Sequence, residues 1–237
     1  MVELKGKKLA DVGFYINLDK RKDRKENLES QFEKLNLSGI NRFNGITGLQ
    51  SPQLNCNKSH YTIFEEFLKT DKEVLLVLED DCLFLDIIYN ESDKIIEDIF
   101  SVNWDIFWLG CKNRRYPIEH KNNTFFTTST SHAQSYLIKR SLCLHILKTY
   151  PFESLNNILI DELLCLSMYG PDVVKNPNKY GFYTLENPYL TLQREFISLC
   201  YDEALTTQYQ SYSDLWKHSN NYEKYITQGY PNKRKKI

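Results

Sequence analysis

Three consecutive carboxylates, Glu79, Asp80 and Asp81, follow the apolar run Val74 to Leu78. Adjacent like charges repel, and an unpaired carboxylate resists burial. The apolar run suits a central strand covered on both faces. The carboxylates then fall at the carboxyl edge of a sheet, where open α/β folds bind ligands. In extended chain Glu79 and Asp81 point to the same side. Both could reach one divalent cation and the ribose diphosphate it holds. Hard oxygen ligands select magnesium or manganese. The local sequence fits two other readings. One is an acidic turn that caps the next segment. The other is a metal-dependent phosphatase or nuclease using the same pair.

The elements that must position these groups can be read along the chain. Val12 to Asn17 is a buried strand, and Asp19 to Asn36 is a charged helix with Leu28, Phe32 and Leu35 at helical spacing. Ile40 to Phe43 is a short second strand. A polar turn region with Gly48 and Pro52 covers Gly45 to Asn57. Ser59 is a plausible N-cap for a helix with His60, Ile63, Phe64, Phe67 and Leu68 on one face. Ser92 to Phe100 is helical, and Trp104 to Leu109 is a strand ending at Gly110. Phe125 to Thr128 makes an edge strand, Ala133 to Ile138 a strand and Ser141 to Thr149 a helix. Leu155 to Met168 has helical spacing with Asp161 and Glu162 inside it. Tyr180 to Leu185 and Pro188 to Leu192 are short β pieces, and Ser213 to Gln228 a terminal helix. Strands alternating with helices predict an α/β sandwich with a mostly parallel sheet. Residues 1–205 are expected to form one domain. Residues 206–237 add a C-terminal helix and a basic tail, packed on it or trailing.

The bulk composition narrows the function classes. The 237 residues suit one α/β domain, and 41% hydrophobic content argues against global disorder. A formal charge of −1 gives no general attraction to phosphate backbones, so nucleic acid is not the expected partner. The basic residues Lys233, Arg234, Lys235 and Lys236 read as a solvated tail, with peripheral membrane contact as the alternative. None of the six cysteines forms a C-x-x-C pair, which suits reduced thiols and a cytoplasmic setting, the host's if the source is viral. Met1 to Ala10 has no apolar h-region, and no apolar stretch is long enough to span a bilayer.

Several segments, taken in order, resemble glycosyltransferase family 25, the group that includes lipopolysaccharide and collagen galactosyltransferases. Tyr15-Ile16-Asn17-Leu18-Asp19 with Arg21, Asp23 and Arg24 is similar to the family's opening. Arg42-Phe43-Asn44-Gly45-Ile46 is similar to its second strand. Ser59-His60 followed by Val74 to Asp81 resembles its Ser-His…Leu-Glu-Asp-Asp core. Trp104-Asp105-Ile106 with Leu109-Gly110, His132-Ala133 to Tyr136-Leu137-Ile138, Ile160-Asp161, and Pro188 with Gln193 resemble later segments. The resemblance runs from about residue 13 to 195. It implies a GT-A fold, a single Rossmann-like domain whose acidic motif holds manganese and a sugar diphosphate. It also implies transfer from a nucleotide sugar, often UDP-galactose, to a glycan or protein hydroxyl with inversion.

On that reading Asp81 is the direct metal ligand, with Glu79 beside it, and Glu79 and Asp80 also face the donor. Asn17, Arg21 and Arg24 sit where nucleotide and phosphate contacts are made, and Arg24 offers a bidentate phosphate grip. Arg21 and Arg24 equally fit a solvated helix face. Asp161 or Glu162 is the candidate base that deprotonates the acceptor. Here Leu159 stands where the family has proline, and a helix N-terminal carboxylate explains Asp161 as well. His60, on the apolar side of its helix, reads as a core histidine, with a ligand role as the alternative. His132 could contact the donor sugar or the metal, although the family often has Gly or Thr nearby. His218 is a further possible metal ligand, and no role falls to His145. Tyr201, Tyr209, Tyr212, Trp216 and Tyr222 could line an acceptor groove or pack a terminal helix. The expected activity is a metal-dependent hexosyltransferase using a UDP-sugar with Mn²⁺ or Mg²⁺. The alternatives are a non-catalytic nucleotide-sugar or glycan-binding module and a metal-dependent phosphoesterase. The phosphoesterase would need a second ligand cluster, and none is evident in the sequence.

Overall fold

The computed structural model describes residues 1–113, 117–127, 130–155, 158–172 and 195–209, together with Ile226. The chain opens with strands β1 (Val2–Leu4), β2 (Lys7–Ala10) and β3 (Val12–Asn17), then helix α1 (Lys22–Leu35). Next come β4 (Leu37–Ser38), β5 (Ile40–Asn44), α2 (Pro52–Leu68), β6 (Val74–Glu79), β7 (Cys82–Phe84) and α3 (Asp86–Phe100). β8 (Ile106–Asn113), β9 (Ile118–Glu119), β10 (Thr124–Phe126), β11 (Thr130–Lys139) and α4 (Arg140–Thr149) follow. The last described elements are α5 (Ile160–Leu166), β12 (Ser198–Tyr201) and β13 (Thr206–Gln208).

The central sheet has the order β5-β3-β6-β11-β8-β12-β10-β9. β3 pairs in parallel with β5 and β6, and β12 in parallel with β8. β11 lies antiparallel between β6 and β8, and β10 is antiparallel to β9 and β12. The sheet is mixed and mostly parallel, since all its strands except β10 and β11 point one way. β11 brings its beginning to the same edge at which β3, β5 and β6 end. Ser135 lies opposite Leu78, and Ile16 opposite Glu79.

The apolar run in β6 is buried on both faces. Leu75 and Val77 join the core under α2, α4 and α5, whereas Leu76 and Leu78 join the core under α1 and α3. Burying a leucine or valine contributes about 1.5–3 kcal/mol, so alternate residues of one strand hold two helical layers to one sheet. A smaller sheet of order β2-β1-β4 closes the second core, supplying Val2, Leu4, Leu9 and Leu37.

Several boundaries differ from the sequence reading for identifiable reasons. α2 begins at Pro52 rather than near Ser59. Ser51 is the N-cap, its hydroxyl accepting from the Leu54 amide at 3.2 Å, and proline at the first helical position loses no intrahelical bond. The turn signals at Gly48 and Pro52 thus mark a helix start. α3 begins at Asp86, ahead of Ser92, with a kink at Glu91. α5 is shorter than the apolar spacing suggested, and Asp161 lies in its first turn. β8 runs through Gly110, and the opening strands β1 and β2 had no periodicity to reveal them. Thr206–Gln208 pairs with β7, so the chain stays on the same body beyond 205. The β pieces expected at 180–185 and 188–192 lie outside the described residues. So do Gln193, Tyr212, Trp216, His218, Tyr222 and, apart from Ile226, the terminal helix and basic tail.

Gly110 shows why β8 does not end there. A Cβ at this position would sit 2.2 Å from the Thr206 carbonyl oxygen and 2.8 Å from Gln134 Nε2. The nearest contact is backbone and cannot swing away. Gly110→Ala is expected to destabilise the fold by about 1–3 kcal/mol through overpacking. Urea denaturation checks this, and an unchanged midpoint would contradict the close approach of β13.

Candidate functional site

The carboxyl ends of β3 and β6, the start of β11 and the first half of α2 enclose a cleft of about 650 Å³. Glu79, Asp80 and Asp81 all line it, together with Lys20, Arg24, Lys112, His132 and Asp161. The acidic strand end therefore opens into a cavity, as its position in the sequence suggested.

The three carboxylates do not share one orientation. The chain turns after Glu79, so the alternation expected of an extended strand stops there. Asp80 is buried and takes two partners. Its Oδ1 accepts from Arg24 Nη1 at 2.8 Å and its Oδ2 from Asn17 Nδ2 at 2.8 Å. Asp81 Oδ2 accepts from the same Arg24 nitrogen at 3.1 Å. Its Oδ1 is buried with no hydrogen-bond partner among the described residues. Glu79 turns the other way and lies 3.3 Å from His60 Nε2.

The electrostatics follow from burial. It pushes Asp81 well above the ordinary carboxylate range, with Glu79 and Asp80 adding to the shift and Arg24 opposing it. It also raises Asp80, against Arg24 and Asn17. Burial works against charge on Arg24, but Asp81 and Asp80 outweigh it and hold the guanidinium ionised.

Arg24 comes from the first turn of α1 and reaches under the strand end. It is one of the few buried charged side chains among the described residues. The sequence reading gave it a phosphate grip; the structure commits one of its nitrogens to two carboxylates. Asn17 is fully buried at the end of β3 and positions Asp80. Its other amide atom, Oδ1, accepts from Arg42 Nε at 2.9 Å, and Arg42 also pairs with Asp19 at 2.6 Å. Arg42 was noted as part of a strand but given no role. The usable signal was its position in β5, which pairs in parallel with β3. Arg21 is outside the cleft lining and pairs with Asp23 at 2.8 Å.

The opposite wall is built from β11 and α5. His132 has a positive φ of 73°, at an irregularity in the pairing of β11 with β8. A left-handed conformation is uncommon for a residue with a Cβ, and bulges next to sites re-aim side chains. The strain is held by Asp161, whose Oδ2 accepts from the His132 amide at 2.7 Å while Oδ1 accepts from the Glu162 amide at 2.9 Å. Asp161 lines the cleft and Glu162 does not.

α2 supplies the floor. Ser59 is not a cap. Its hydroxyl accepts from the Ile46 amide at 2.9 Å and donates to the Asn55 carbonyl, tying the 45–48 loop to the helix. His60 is buried as a core histidine would be, with its ring 5.9 Å from that of Tyr136 and Nδ1 2.7 Å from the Tyr136 hydroxyl. Its contact with Glu79 nonetheless joins it to the acidic turn. Cys56, one helical turn earlier, also lines the cleft, and its thiol is pushed up by burial and by Glu79, Asp161 and Asp81. The sequence reading gave Cys56 no role. Of the aromatic residues offered for an acceptor groove, Tyr209 lines the cleft. Tyr201 is buried and bonds Asp98 and Lys94.

No protein-family profile matches the chain. Solved structures resemble it loosely. A197 from STIV is 10% identical over 84% of this chain and 85% of that one, with a TM-score of 0.43. A nucleoside-diphosphate-sugar pyrophosphorylase from Vibrio cholerae RC9 is 9% identical over 95% and 80%, with a TM-score of 0.35. Curated relatives are more informative. The human protein named inactive glycosyltransferase 25 family member 3 is 26% identical over 130 residues, which is 43% of this chain and 22% of that protein. Mouse procollagen galactosyltransferase 2 is 27% identical over 130 residues, covering 43% and 21%. The matched segment spans about a fifth of each relative's own length. The resemblance drawn from the ordered motifs is borne out: at this level of identity, the chain is similar to members of glycosyltransferase family 25.

Proposed function

We propose that the chain is a metal-dependent glycosyltransferase of GT-A type that transfers a hexose from a UDP-sugar to a hydroxyl of a glycan or protein acceptor. The observation behind this is the convergence of Glu79, Asp80 and Asp81 in a cleft that also holds Lys20, Arg24 and Lys112. Carboxylates and cations lining one cleft suit a ligand that brings a divalent ion and a diphosphate together. The residues fit such an ion. Asp81 presents a buried oxygen without a partner, and its burial favours exchange of a proton for a cation.

In this reading Asp81 binds manganese or magnesium directly and Glu79 assists. When bound, the ion offsets charge on the departing nucleoside diphosphate as a Lewis acid. Asp80 is a positioning residue, locked by Arg24 and Asn17. Lys20 and Lys112 attract the anionic donor. His132 faces the donor sugar, and Asp161 holds its backbone in place. Asp161 is also the cleft carboxylate best placed to take the acceptor proton, since Glu162 is outside the lining. Both Asp161 oxygens already accept backbone amides, but each keeps a second lone pair. A second reading is a nucleotide-sugar-binding module without turnover. It is favoured by that engagement of Asp161 and by relatives named inactive.

A thermal-shift and hydrolysis screen over nucleotide sugars, with and without manganese, tests the proposal. Stabilisation by a UDP-sugar that requires the metal, with slow hydrolysis, is expected; binding to none of the donors sinks it. Donor binding without turnover against any acceptor would select the module.

Two variants separate ligand from scaffold. Asp81→Asn is expected to lower turnover at least about 100-fold, the scale of a lost transition-state electrostatic contact, and to leave the melting temperature within a few degrees. Asp80→Ala removes one of the two carboxylates paired with buried Arg24 and orphans the Asn17 amide, and is expected to cost about 3–5 kcal/mol, read by chemical denaturation. A full-activity Asp81→Asn, or an Asp80→Ala as stable as the parent, would reverse these assignments.

Asn17→Ala probes positioning. Acting on Asp81 through Asp80 and the Arg24 that both contact, it is expected to raise the manganese concentration for half-maximal activity by up to about 10-fold, the lower end of outer-partner effects. An unchanged metal requirement would remove Asn17 from the site.

A further inference from the structure

Cys56 and His60 are four residues apart on α2, so their side chains lie on one helical face. Both reach the cleft floor, where Glu79 enters from the end of β6. The thiol sulfur, an imidazole nitrogen and a carboxylate oxygen of these residues all lie within 4.8 Å of one another.

The spacing has a chemical meaning. His60 Nε2 and Glu79 Oε1 are 3.3 Å apart, long for a strong hydrogen bond between these groups. It is also close to the edge of a tetrahedron whose centre lies about 2.0–2.1 Å from each atom, the bond length of zinc to nitrogen or oxygen. The Tyr136 hydroxyl, 2.7 Å from His60 Nδ1, supplies the outer partner that metal-bound histidines use to fix ring orientation. His60 itself is fully buried and cannot turn away. Cys56 is only half-buried and opens to the cleft, which gives an ion a way in.

We propose that Cys56, His60 and Glu79 form a binding site for a borderline-soft divalent cation of the zinc class, with the cleft side left open for a water or ligand atom. One thiolate, one imidazole and one carboxylate select zinc over manganese or magnesium, which prefer oxygen donors throughout. Binding releases the thiol proton to solvent. The site invokes no donor or acceptor; it shares Glu79, whose Oε1 faces His60, with the ion proposed at Asp81, and Asp81 is the ligand that separates the two. The other described cysteines are buried within the cores, so a thiolate signal at low metal stoichiometry reports Cys56.

Cobalt(II) is the probe. Added to the full chain, it is expected to give a thiolate-to-cobalt charge-transfer band in the near ultraviolet, with the intense visible bands of four-coordinate cobalt. Zinc is expected to displace both. Cys56→Ala should abolish the charge-transfer band and weaken zinc at least about 10-fold, measured against a chromophoric chelator. Cys56→His should restore binding without that band, and Asp81→Asn should keep the band. A parent protein without the thiolate band overturns the inference. So does Cys56→Ala that binds zinc as tightly as the parent, or Asp81→Asn that loses the band along with the zinc.

Discussion

One guanidinium nitrogen holds the site together. Arg24 Nη1 contacts both Asp80 and Asp81, and the rest of the acidic turn follows from that contact. Three adjacent carboxylates at a strand end would repel one another and pull the turn into solvent. A buried counter-charge allows two of them to stay on the cleft wall. The arrangement costs desolvation for every member, and a buried ion pair repays this only when further hydrogen bonds complete it. Asn17 completes Asp80, and Arg42 completes Asn17. Asp81 is the member left incomplete, with one oxygen unpartnered. An unsatisfied buried acceptor beside satisfied neighbours is where a ligand has most to gain.

This constraint reaches into the fold. α1 must begin directly after β3 so that its first turn lies beneath the end of β6. The Asn17 amide donates to the Arg21 carbonyl at 3.0 Å as well as to Asp80, which ties that connection to the acidic turn. β5 must lie beside β3 in parallel, or Arg42 would not reach Asn17. Beyond the turn, β13 pairs with β7, and the Tyr209 amide donates to the Asp81 carbonyl. Gly110 admits β13 at that distance. A backbone clasp on one side and a charge clamp on the other fix the turn from both ends.

What could be read beforehand depended on periodicity. β3 and β6 were legible because residues 12–16 and 74–78 are short apolar runs, the second buried on both faces. That placed the carboxylates at a sheet edge. The start of α2 was hidden because Pro52 signals a turn and a helix start alike, and the Ser51 cap decides between them. β11 was legible as a strand but not as antiparallel, since a fully buried strand looks the same in either direction. The pairing of Arg24 with Asp80 and Asp81 was not legible for a related reason. Sequence spacing shows that an arginine can reach a strand end, but not whether it spends its charge on a ligand or on the protein. Cys56 was passed over because a cysteine among polar residues carries no periodic signal, and its partners come from another turn of the helix and another strand.

The two walls of the cleft are coupled through β6 and β11. With Ser135 opposite Leu78, the irregular stretch of β11 extends past the strand end toward the acidic turn. Within it His132 adopts a backbone conformation that costs about 1–3 kcal/mol in a residue with a side chain. Such strain persists only where the surroundings over-determine it, and Asp161 does so by accepting the His132 amide. Glycine at this position would relax the backbone but remove the imidazole that lines the cleft. His132 retains its imidazole at the cleft, and the half-buried Asp161 carboxylate holds its backbone. The far wall is thus fixed by a side-chain-to-backbone bond, where the acidic turn is fixed by an ion pair.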